Sequence, residues 1–137
     1  MYPTAQTIGE RIEDLYGAPL AQLEALADTN PRESMLAALL GSHTDLAFAE
    51  RNIDFQLQRL RQLAAKERQI GSHEAGHIAD CARRISESVV VRDAHAKSVS
   101  AVLQSLHRVP VPQTPLTTPA PSAALVPAPA SAAARTR

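Results

Sequence analysis

Leu39, Leu46, Ile53, Leu57, Leu60 and Ala64 recur at seven-residue intervals or at the three-plus-four division of seven. Side chains at that spacing line one seam of a helix, and a sustained repeat of 3.5 drives two helices to wrap around each other. Phe48, Phe55 and Leu63 lie off the seam. A helix with two apolar faces has two sets of neighbours, so this one is expected at the centre of the molecule.

The flanking punctuation divides the rest of the chain. Thr7 and Glu10 read as a T-x-x-E capping box. Ile8, Ile12, Leu15 and Tyr16 then share one helix face, which Gly17 ends. Pro19 can open a second short helix lined by Leu20, Leu23 and Leu26. Asn30, Pro31 and Glu33 offer an N-cap, a proline at the first helical position and an acid at the third, predicting a long helix over 31–70. Gly71 and Ser72 suit a break, with Ser72 as the next N-cap. A fourth helix over 73–108 carries Ile78, Cys81 and Ile85, then Val99, Val102 and Leu106. The apolar centre drifts by about 20° per heptad, as a 3.5 repeat does on a 3.6-residue helix. The β-branched run in "SVVVRD", residues 88–93, is its weakest helix-forming stretch.

The expected fold is therefore all-α. Residues 1–30 form two short N-terminal helices, and 31–108 form a long antiparallel coiled-coil-like helical hairpin breaking near 71–72. Each arm is about 55 Å long at 1.5 Å per residue. Residues 109–137 hold seven of the ten prolines, among Ala, Ser and Thr. That composition predicts a disordered Pro/Ala-rich C-terminal tail with polyproline character. Its "PQTP", residues 112–115, has the P-x-x-P form without a flanking arginine, so a passive linker is expected.

Composition narrows the function classes. The chain has no Trp, two Phe and two Tyr, so its core must be built on Leu and Ala. Net charge is zero, but residues 1–50 carry eight acids and two bases, and residues 51–137 carry six acids and twelve bases. Halves of opposite sign suit packing or head-to-tail association. The single Cys81 excludes an intrachain disulfide framework, and a reducing compartment fits. No apolar run approaches the ~20 residues of a membrane span, and "MYPTAQTIGERIED" has no apolar signal region. A cytoplasmic location is expected.

One stretch carries a chemical motif. His73, Glu74 and His77 in "HEAGH" spell H-E-x-x-H. Two His at i and i+4 project from one helix face and can hold one zinc ion, with the Glu between them as general base on a bound water. The stretch resembles the zincin metallopeptidases, and "HEAGH" is similar to the form in membrane-bound, ATP-dependent zinc proteases. The resemblance covers five residues. It implies His73 and His77 as zinc ligands and Glu74 as the catalytic base. A catalytic zinc also needs a third protein ligand. Glu87, Asp93 and His95 are available downstream, but none sits in a zincin-like second motif. No sheet is foreseen beside the helix. The expected core stripe of that helix, Ile78, Cys81, Ala82, Ile85 and Val89, lies more than a quarter-turn from His73 and His77. These points favour an exposed helical stretch, with no cofactor; zinc is the alternative.

The leading expectation is a non-enzymatic helical interaction or assembly module that self-associates, most simply as a homodimer, or binds a helical protein partner. A hairpin built on Ala and Leu buries little surface alone, and pairing two hairpins would make a four-helix bundle. The candidate interaction seam is Leu39, Leu46, Ile53, Leu57, Ile85, Val99, Val102 and Leu106. His43 and His95 fall on the seams, where polar side chains set register. The rivals are the zinc peptidase and a nucleic-acid accessory protein using Arg51, Arg59, Arg61, Arg68, Arg83, Arg84 and Arg92. These arginines are interleaved with acids and lack stacking aromatics, so only weak phosphate contact is expected.

Overall fold

A computed structural model describes residues 1–29, 34–65 and 69–106. It is all-helical: α1 (Ala5–Tyr16), α2 (Leu20–Thr29), α3 (Met35–Leu63) and α4 (Ser72–Ser105), with no strand among the described residues. The expected cap at Asn30 and Pro31 and the expected tail, 109–137, lie outside the described residues.

Local chemistry accounts for most helix ends. The side chain of Thr4, not Thr7, caps α1 by accepting from the Thr7 backbone N–H at 3.3 Å. The expected Thr7–Glu10 box is thus one helical turn too late. Gly17 ends α1 in the left-handed region at φ 71°, and its N–H donates to the Glu13 carbonyl. Only glycine adopts that conformation without steric cost. Pro19 precedes α2, and its carbonyl accepts from Gln22 and Leu23. Ser34 caps α3 by accepting from the Ala37 N–H at 3.0 Å.

The third helix stops at Leu63, earlier than the expected Ile70. Leu63 is its last buried residue, and Ile70 is exposed. Without a surface to bury, another turn gains little beyond propensity. The N-cap of α4 is Gly71, with Ser72 as the first helical residue.

The main core gathers at one end of the molecule. Ala5, Ile8 and Ile12 of α1 and Leu23 of α2 pack with Leu36, Leu39, Leu40 and Leu46 of α3 and with Ala96, Val99 and Leu103 of α4. Ile8, Ile12 and Leu46 are fully buried. At this end α1 contacts both long helices. Its start is held by two links to α3. The Glu50 carboxylate accepts from the Ala5 N–H at 3.0 Å, and His43 Nε2 lies 3.0 Å from the Ala5 carbonyl.

Among the described residues, α3 and α4 share the most extensive helix–helix contact. Two polar contacts join these helices: Asp45 faces His95 at 3.9 Å, and Asn52 donates to the Ser88 hydroxyl at 2.6 Å. Ile53, Leu63 and Cys81 are buried there but are not part of the main cluster.

Candidate functional site

The start of α4 brings His73, Glu74 and His77 together, as a helix with i, i+4 histidines must. His73 Nε2 and His77 Nε2 are 3.0 Å apart, with the rings edge to face. In the bare chain this is an N–H···N contact, one ring donating to the other. Glu74 is engaged otherwise. Its Oε2 accepts from the Gly71 backbone N–H at 3.1 Å, satisfying a donor that the helix leaves open. A negative charge in the first turn also suits the helix dipole. The carboxylate that the motif would use as general base therefore caps its own helix.

His73 is exposed and His77 half-buried. His77 lines a groove of about 340 Å³ with Asp80, Cys81 and Arg84 of α4 and Phe55, Gln56 and Arg59 of α3. His73, Glu74 and His77 also line an adjoining hollow of about 250 Å³ with Arg59, Gln62 and Leu63. His77 thus sits closer to the helix–helix seam than the sequence pattern implied. The reason is that the buried stripe of α4 is rotated. It runs through Cys81, Ser88, Ala96, Val99 and Leu103, while the expected Ala82 is exposed. His77 lies only about 40° around the helix from Cys81 at 3.6 residues per turn.

Metal chemistry needs more ligands than the pair supplies. Among the described residues no group of three or more His, Cys, Asp or Glu side chains is placed to hold a metal ion. Of the downstream candidates, Glu87 binds Arg83, Asp93 binds Arg92, and His95 faces Asp45. Arg59, which lines both hollows, adds positive charge where a cation would sit.

The arginines that suggested nucleic acid divide into two groups. Asp80 accepts from Arg83 at 2.6 Å and from Arg84 at 2.8 Å, and Arg83 also reaches Glu87 at 2.6 Å. The hydrogen bond from Arg83, with that from Arg84, holds the Asp80 carboxyl below the ordinary carboxylate range. The bond to Asp80 likewise raises Arg83. These four side chains form an exposed network along α4. Arg92 is paired with Asp93. Arg51, Arg59 and Arg61 of α3 have no ion-pair partner among the described residues. Arg68 lies outside the described residues.

The expected seam residues fall into two sets. Leu39, Leu46, Ile53 and Val99 are buried. Leu57, Ile85, Val102 and Leu106 are half-buried, and of these Val102 and Leu106 pack against the main core. Leu57 and Ile85 do not belong to that packing. Neither do the half-buried Leu60, Ile78 and Val89. On α3, Ile53, Leu57 and Leu60 are spaced i, i+4, i+7. On α4, Ile78, Ile85 and Val89 are spaced i, i+7, i+11. Each set shares one helix face. Both sets continue, toward the Leu63 end, the side of the pair on which α1 packs, since α1 meets α3 at His43 and Glu50.

Sequence reasoning missed Ser88, Gln56 and Ala96 as seam residues, although all three are buried. Two are polar and one small, so hydrophobic periodicity passes over them. The signal available was register: Ser88 falls seven residues after Cys81, and Gln56 three after Ile53. Phe48 and Phe55, read as a second apolar face, are 64% and 58% exposed. No helix among the described residues is long and apolar enough to cross a membrane. No protein-family model, no curated protein and no solved structure matches the chain.

Proposed function

We propose that the protein is a non-enzymatic helical assembly module that works by presenting the Leu63 end of its long helix pair to another helical surface. The observation that carries this reading is the half-buried apolar face of Leu57, Leu60, Ile78, Ile85 and Val89, which among the described residues lies outside the main core. Contiguous apolar surface that a fold leaves uncovered marks contact sites. The long pair is an antiparallel, coiled-coil-like hairpin, a reading supported by the Asp45–His95 and Asn52–Ser88 pairs. A two-helix layer with one apolar face completes itself as a four-helix bundle when it meets a second such layer.

Two features weigh against catalysis by "HEAGH": Glu74 caps its helix, and among the described residues no third ligand joins the two imidazoles. Pairing of Arg83, Arg84 and Arg92 with acids on α4 weighs against a nucleic-acid surface there.

The test substitutes Leu57 with Asp and measures both helicity and mass in solution. Half-buried outside the main core, Leu57 tolerates the change in a folded monomer, so the expected result is a helical chain that no longer assembles. A variant that assembles as well as the wild type removes this face from the proposal.

A further inference from the structure

The charges bordering the uncovered face say what fits it. Asp54 and Arg61 are exposed, and neither has an ion-pair partner among the described residues. They stand three residues before and four residues after Leu57, so all three share one side of α3. The α3 edge of the apolar face is thus acidic toward the main core and basic toward Leu63. The other acids at the core end are already engaged: Glu50 accepts from the Ala5 N–H, and Asp93 pairs with Arg92. The stretch of α3 in question lies between Glu50, which holds the start of α1, and Leu63, where the helix ends. Its midpoint, near Leu57, is also the midpoint between Asp54 and Arg61.

A surface with opposite charges placed symmetrically about its own centre is complementary to itself after a half-turn. That is the condition for an isologous contact between identical chains. We propose that this face binds a second copy of the chain across a two-fold axis near Leu57, with Asp54 of each chain facing Arg61 of the other. The α3 helices then cross antiparallel at the centre, Leu57 and Leu60 of the two copies meet, and Ile78, Ile85 and Val89 close the flanks. The main core of each copy lies at an outer end of the assembly. There α1 begins beside Glu50 and bounds the face, which fixes how far the copies can slide. This proposal rests on the assembly reading above, and it adds the identity of the partner and the register.

The experiment is sedimentation velocity on the full chain over a range of concentrations. It compares the wild type, Arg61→Asp, Asp54→Arg and the double variant carrying both, with circular dichroism to confirm that each is helical. Each single swap replaces both reciprocal ion pairs of the dimer with like-charge pairs, so dimer affinity should fall by about tenfold or more. The double variant recreates both pairs with the signs exchanged and should recover most of the loss. Two outcomes separate the levels of the argument. A wild type that dimerises while ignoring both single swaps, or a double variant as weak as the singles, overturns this register and leaves the assembly reading standing. A wild type that stays monomeric at the highest concentration overturns self-association, and this proposal with it.

Discussion

Three glycines lie inside helices, and the structure assigns their replacement by alanine opposite signs. Gly41 in α3 and Gly76 in α4 have open space where a Cβ would sit. At such positions alanine narrows the unfolded ensemble and gains helix propensity, about 0.5–1 kcal/mol each. Gly9 in α1 is buried, and a Cβ there would lie 2.9 Å from Leu20 Cδ1 and 3.1 Å from His43 Nε2. The leucine methyl can swing aside at small cost. His43 is less free, because the same nitrogen makes the 3.0 Å contact with the Ala5 carbonyl that holds α1 onto α3. The propensity gain is still about 1 kcal/mol. Against it stand roughly 1 kcal/mol for the disturbed hydrogen bond and about 1–3 kcal/mol for overpacking. Packing wins, and Gly9→Ala should be destabilising by about 1–3 kcal/mol. In a folded unit of this size, that lowers Tm by several degrees, at about 4–8 °C per kcal/mol. Thermal and urea unfolding of the three variants, at a concentration where association is constant, reads the signs directly. A Gly9→Ala protein stabilised as much as Gly41→Ala would refute the close approach of α1 to His43.

Other outcomes follow from individual contacts. Gly17→Ala should be destabilising by about 1 kcal/mol, because alanine pays a steric cost in the left-handed region; urea midpoints measure it. Ser88→Ala should be destabilising by about 1 kcal/mol, since Asn52 loses its 2.6 Å partner at the helix–helix contact; the restorative comparison is Ser88→Thr, which keeps the hydroxyl. For Asp80, the folded carboxyl is depressed, so its stabilising contribution is present above the unfolded value of 3.8 and is lost as pH falls through and below it. Asp80→Asn should therefore lower Tm slightly at pH 7, and the difference should shrink as pH falls below 3.8 and the folded carboxyl protonates. Glu74→Gln should preserve the fold, because the amide oxygen can still accept from the Gly71 N–H. If peptide cleavage by purified protein were detected and then abolished in this variant, the non-enzymatic reading would fall.

How much of this was legible in the sequence varies along the chain. The seam of α3 reads directly from Leu39, Leu46 and Ile53, because large aliphatic residues at heptad spacing leave a helix one way to bury them. The α4 seam was legible only at Cys81 and Val99. Its middle passes through Ser88 and Ala96, where a hydrogen bond and a small side chain replace apolar bulk. With those positions missing, the apolar pattern runs through Ala82, which puts His77 farther from the seam than it lies. The end of α3 at Leu63 was also beyond local signals. Helix propensity continues past it, while Gln69 and Ile70 are exposed. Phe48 and Phe55 show the converse error: apolar residues at i, i+7 need not face a neighbour within the chain. For the "HEAGH" stretch, the spacing of the two imidazoles was legible, whereas the capping role of Glu74 was not, because it depends on the helix starting at Ser72.

A chain that works by assembling with its own copies must associate reversibly in solution. Sedimentation equilibrium of the wild-type chain from low micromolar to near-millimolar concentration tests it most directly. The expected result is a reversible monomer–dimer equilibrium with high helicity throughout. A single species of monomer mass across the whole range would contradict it.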